Sequence, residues 1–88
     1  MTSIWGPSLW EFIHRTCLHI ESYKARKVIY GVLNVIPCDD CFVHYRTYLT
    51  ANPPSGDLFK WSVDCHNWVN YRLGKPVFRY EEALRKYS

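Results

Sequence analysis

Apolar side chains recur along this chain at intervals of three and four. In "GPSLWEFIHRTCLHIESY" they fall at Leu9, Trp10, Ile13, Cys17 and Leu18, with His14 on the same stripe. That is the pattern of an amphipathic helix with one buried face. Pro7 suits the first helical position, where its missing N–H is not needed. In "KARKVIYGVLNVIP", Val28, Ile29, Val32, Leu33 and Ile36 admit two readings: a helix stopped by Pro37, or a helix followed by a short strand "VLNVI". The segment "CDDCFVHYRTYLTANPP" predicts a helix that starts near Cys38 and ends before Pro53-Pro54. Asp39 and Asp40 favour its N-terminus through the helix dipole.

Residues 57–74 predict a further helix, with Asp57 as N-cap, Gly74 as stop and Pro76 just beyond. "RYEEALRKY" predicts a short last one. The only loop rich in proline and glycine, "ANPPSGD", is a turn between helices rather than a domain linker. There is no internal repeat. The expected architecture is all-α, a compact bundle of four or five helices in one domain spanning residues 1–88.

Size changes the picture. A chain of 88 residues buries too little surface to be more than marginally stable on its core alone. Aromatic residues, at 17%, offset part of this, and the four cysteines offer a staple or a site. A tightly held cofactor or a partner subunit would add stability by mass action. The net charge of +3 suits an anionic ligand such as a phosphate-bearing cofactor. It is too mild, and the basic residues too scattered, for a nucleic-acid-binding profile. No window is apolar enough to span a membrane, and the N-terminus lacks the basic start and apolar run of a secretory signal. A cytoplasmic location is therefore expected, where cysteines are more often catalytic or metal-binding than structural.

Three clusters could carry chemistry. Cys38 and Cys41 sit one turn apart at a predicted helix N-terminus, where a thiolate is stabilised and a disulfide can close and reopen. Two small buried residues would give the same spacing, and His44 beyond them would equally suit aromatic core packing. In "DCHNWVNYRLGKP", His66, Asn67 and Asn70 gather directional polar groups on an otherwise apolar helix, with Arg72 and Lys75 placed to meet a phosphate. Buried without partners, each polar group would cost roughly 1–3 kcal/mol, so solvent, the fold or a ligand must satisfy them. Trp10 and His14, four apart, offer an aromatic surface with a polar edge for stacking on a planar ring. Together the clusters describe a bundle able to hold a flat redox cofactor beside a dithiol.

The motifs "WGPSLWEFIH", "PCDDCFVHY" and "HNWVNYRLGKP", in this order and covering most of the chain, resemble the Erv/ALR family of FAD-dependent sulfhydryl oxidases. The likeness is to the minimal forms encoded by large DNA viruses in particular. The resemblance implies a helical bundle enclosing FAD, usually a homodimer, that oxidises protein dithiols to disulfides and reduces molecular oxygen to hydrogen peroxide. By position, Cys38 and Cys41 would be the redox pair, Cys38 facing substrate and Cys41 the flavin. Trp10, His14, His44, His66, Asn67, Val69 and Asn70 would form the flavin or adenine pocket. Asp40 matches a flavin-contacting position in some relatives, and Cys65 would border the cofactor. Gly6 would allow close approach, Lys75 would meet the phosphates, and Tyr80 would supply an aromatic wall.

Larger members carry a shuttle cysteine pair that this sequence lacks, so substrate thiols would reach Cys38 directly. The expected substrate is a small thioredoxin-like protein, and the expected site of action the host cytoplasm or virion. Cys17 and Cys65 could pair with each other or stay free. Two rival readings remain: a zinc-binding module built on Cys38, Cys41, Cys65 and His44 or His66, and a thioredoxin-like fold with "VLNVI" as the strand before the CxxC helix.

Overall fold

The computed structural model describes residues 2–88, with side chains from Trp5 onward. Its elements are α1 (Thr2–His19), α2 (Ser22–Gly31), one 3₁₀ turn (Val32–Asn34), α3 (Asp39–Ala51), α4 (Leu58–Arg72) and α5 (Tyr80–Tyr87). No strand occurs among the described residues. The ambiguity over "VLNVI" ends in a 3₁₀ turn, and the thioredoxin-like reading loses the strand it required. Pro7 lies inside α1 rather than at its start, because the helix begins at Thr2. The cost is one backbone hydrogen bond near the open end of the helix.

Helix α1 is the hub, packed against α2, α4 and α5, while α4 also touches α2 and α5. The core between them holds Ile13, Ala25, Ile29, Val32, Tyr45, Leu49, Phe59, Val63, Cys65, Ala83 and Tyr87. Burying each large apolar side chain contributes roughly 1.5–3 kcal/mol. Polar atoms inside are spent locally. The Tyr45 hydroxyl donates to the Ile29 carbonyl at 2.6 Å, satisfying an acceptor in the last turn of α2. The indole N–H of Trp61 donates to the Asn52 carbonyl at 2.7 Å, closing the end of α3 onto α4.

Helix ends follow from local chemistry. Cys38 caps α3, its sulfur accepting the Cys41 N–H at 3.4 Å. Asp57 caps α4 through the Lys60 N–H at 3.1 Å. Gly74, at φ 71°, ends α4 in a left-handed turn. There Lys75 N–H reaches the Asn70 carbonyl at 2.8 Å and Gly74 N–H the Tyr71 carbonyl at 3.2 Å. This is the paired arrangement of a Schellman motif, and it sets Lys75 beside Asn70. The Glu82 carboxylate accepts the Arg79 N–H at 2.9 Å at the start of α5. At its other end the Tyr87 carbonyl accepts from Arg15 at 3.1 Å and from His19 at 3.2 Å. Two donors on α1 therefore anchor the last turn of α5.

Candidate active site

A cavity of about 400 Å³ opens between α1, α3, α4 and α5. Its wall includes Gly6, Trp10, Cys41, His44, His66, Val69, Asn70 and Lys75, so these expected site residues converge. Segments more than fifty positions apart supply them, brought together because α1 and α4 bury their apolar stripes against each other. A second cavity of about 320 Å³ adjoins it, sharing His66, Asn70, Lys86 and Tyr87 and adding Phe78 and Glu82.

The rings of Trp10 and His66 are stacked, with centroids 4.1 Å apart and planes 6° from parallel. Trp10 is thus stacked on a ring from α4, whereas its contact with His14 is looser, at 5.6 Å. His14 lies behind this stack, with no exposed surface. Its Nδ1 is 2.8 Å from Ser62 Oγ and its Nε2 is 2.9 Å from His66 Nδ1. Burial pushes the His14 pKa down to about 3, helped by His66 and Lys86. It takes His66 to about 4, helped by Lys86 and Lys75. Both rings are neutral near pH 7.

Basic groups ring the cavity: Arg72, Lys75 and Lys86, against Glu11. Arg72 also donates to His44 Nε2 at 2.8 Å and lies over the Trp68 ring, tying α3 to α4 at the rim.

The cysteine pair is divided by the wall. Cys41 belongs to the cavity lining and Cys38 does not. The two thiols differ in acidity as well. Hydrogen bonds from the Cys41 thiol, and then from the Cys41 backbone, lower the Cys38 pKa. Burial first, and then Cys38, raise Cys41 to about 11. Cys38 is the more acidic thiol of the pair.

Besides Cys38, five expected site residues lie outside the two cavities. His14 is screened from the main one by Trp10 and His66. Asp40 is exposed in the first turn of α3. Cys65 is sealed in the core with no exposed surface, beside Cys17, and burial raises its pKa strongly. The Asn67 amide is spent on the backbone of Phe78, donating to its carbonyl at 2.7 Å and accepting its N–H at 3.1 Å. Tyr80 donates to Asp57 Oδ2 at 3.1 Å and sets its ring edge against Phe59. Cys17 and Cys65 are both free thiols. Among the described residues no group of His, Cys, Asp or Glu side chains is placed to hold a metal ion, which removes the zinc site's geometry.

Sequence reasoning missed Lys86, Tyr87 and Ser62. The signal for the first two was present in α5, where Ala83 shares a face with Lys86 and Tyr87 at three and four residues. Ser62 carried none, since only the fold sets it against His14.

The model of the Erv1/Alr family matches residues 7–88, and the chain belongs to that family. A FAD-linked sulfhydryl oxidase of African swine fever virus is 33% identical over 95 residues, covering 96% of this chain and 80% of the viral protein. The rice FAD-linked sulfhydryl oxidase ERV1 is 34% identical over 84 residues, covering 83% of this chain and 43% of its own length. A mitochondrial FAD-linked sulfhydryl oxidase of Schizosaccharomyces pombe is 28% identical over 96 residues, covering 94% of this chain and 53% of its own.

Proposed function

We propose that this chain is a FAD-linked sulfhydryl oxidase that makes disulfides in protein substrates through Cys38 and Cys41. One observation carries the reading: Cys41, but not its partner Cys38, stands in the wall of a cavity built from the family's aromatic, histidine and asparagine motif residues. The donor set fits the cofactor. Each cavity falls in the range of roughly 300–1,000 Å³ typical of small-molecule sites, and two adjoining ones suit an elongated ligand with a planar group at each end. Arg72, Lys75 and Lys86 complement a pyrophosphate, while Trp10, His66 and Val69 offer ring and apolar surface.

A substrate thiolate attacks the sulfur of Cys38 in the oxidised pair. The Cys38–Cys41 bond breaks, and Cys41 leaves with the electron pair as a thiolate at the cavity wall. The substrate's second thiolate then attacks the substrate sulfur of the mixed disulfide, and Cys38 departs. Its lowered pKa makes it the better leaving group for that step. Two electrons and two protons have now passed from the substrate to the Cys38–Cys41 pair. When bound, FAD would supply the two-electron acceptor for the reduced pair, with oxygen as the final acceptor and hydrogen peroxide as the product. Burial works in the same direction, because a thiolate held out of water at Cys41 is destabilised and donates more readily.

The test is spectroscopic and then kinetic. Purified protein should be yellow, and should consume oxygen and release peroxide on addition of dithiothreitol. Cys41→Ser should retain the flavin spectrum and lose turnover to background. A colourless protein that takes up no added FAD, or a Cys41→Ser variant with undiminished turnover, would refute the assignment.

A further inference from the structure

Four groups form one chain of contacts running from the core to the cavity: the Phe59 carbonyl, the Ser62 hydroxyl, the His14 ring and the His66 ring. The oxygens of Ser62 and Phe59 are 2.7 Å apart. At that distance a hydrogen must lie between them, since otherwise two oxygen lone pairs would face each other. A hydroxyl has only one hydrogen, so toward every other neighbour Ser62 can only accept.

The rest follows link by link. His14 Nδ1, 2.8 Å from Ser62 Oγ, must carry a proton and donate it. The neutral ring then has a bare Nε2. That atom, 2.9 Å from His66 Nδ1, can only accept. His66 Nδ1 is therefore protonated, and its own Nε2 is bare in turn. Among the described residues His66 Nε2 meets no partner, and no enclosed side-chain polar atom is unsatisfied. The free nitrogen is accordingly reached from the cavities that His66 lines.

We infer that Ser62 is a positioning residue that fixes the tautomers of His14 and His66, so that His66 presents Nε2 to the cavity as an acceptor selecting a ligand N–H or O–H. Ser62, with no exposed surface of its own, acts on the ligand only through two rings. Reversing its hydroxyl would reverse every donor and acceptor in the chain and turn the same nitrogen into a donor. With FAD as occupant, on the reading given above, the complementary groups are an amine or a hydroxyl of the nucleotide or flavin portion, and carbonyl oxygens are disfavoured at this point.

Long-range proton–nitrogen correlation of histidine-labelled, FAD-loaded protein at neutral pH reads the tautomers directly. The expected spectrum shows His14 and His66 each protonated at Nδ1 and bare at Nε2. Protonation at Nε2 of either ring overturns the proposal, and this wild-type spectrum decides the point even if variants fail to fold. In Ser62→Ala, His14 Nδ1 loses its acceptor, the Nδ1–H signature of both rings should fade, and FAD should bind about tenfold more weakly, the loss of one good hydrogen bond. Unchanged tautomers with unchanged FAD affinity in Ser62→Ala would remove the positioning role. Failure of the FAD reading itself has a separate signature: no FAD uptake by wild type, while the tautomers remain readable in the cofactor-free protein.

Discussion

Two kinds of cysteine coexist in this molecule, and their surroundings separate them. Cys38 caps a helix and is held as the more acidic thiol by its partner's hydrogen bonds. Cys17 and Cys65 are buried, the first raised by that burial to about 11 and the second further. A thiol reacts as its thiolate and only where reagent can reach it. Reduced native protein treated briefly with iodoacetamide should be alkylated first at Cys38. Cys17 and Cys65 should be labelled only after denaturation, as read by peptide mass mapping. Fast native labelling of Cys65 would mean that the core around it opens. The sequence shows four cysteines of equal standing apart from the CxxC spacing; accessibility is a property of the packed helices.

At the scale of elements, the connection between α4 and α5 is held by one side chain. Asn67 grips both backbone groups of Phe78, as a neighbouring strand would. The segment it holds carries Lys75 out of α4 and returns the chain to α5, which brings Lys86 and Tyr87 to the cavity. Asn67→Ala leaves a partly buried N–H and C=O without partners, at about 1–3 kcal/mol. For a domain of this size each kcal/mol lowers the melting temperature by about 4–8 °C. The drop should appear in full without FAD, since the amide is spent on the protein. A variant destabilised only relative to FAD-loaded wild type would return Asn67 to the ligand. The limits of α3 and α4 were legible beforehand: Asp57, Gly74 and the Pro53-Pro54 pair act through neighbours within a few residues, whereas α2 ends at Gly31 rather than at Pro37. The start of α1 was misplaced because Pro7 fits a first turn well, and nothing local forbids a helix from passing through it near its open end.

For the whole molecule, the neutral histidine pair couples stability to pH. The folded-state pKa values of His14 and His66, about 3 and about 4, lie below the ordinary 6.5. The unfolded chain therefore binds two protons that the folded chain refuses. The resulting stability is fully present above about pH 6.5 and is lost as pH falls, by up to about 2.7 kcal/mol per pH unit for two protons. The slope eases near pH 4, where His66 begins to protonate in the fold. Lys75 and Lys86 reinforce the effect at His66, and Lys86 also does so at His14. Guanidinium midpoints measured from pH 7.5 to pH 4.5 should fall steadily below pH 6.5, and a flat profile would mean that the pair is not held neutral.

Spacing along one helix, a cap or a CxxC turn involves residues within a few positions of each other, so the helical class, the helix stops and the family motifs were set by the sequence. Whether His14 faces a ligand or hides behind Trp10, whether Asn67 binds cofactor or backbone, and whether Ser62 matters at all depend on α1 meeting α4 across some fifty residues of chain. Helical periodicity says which face turns inward; only the packed structure says which neighbour that face meets there.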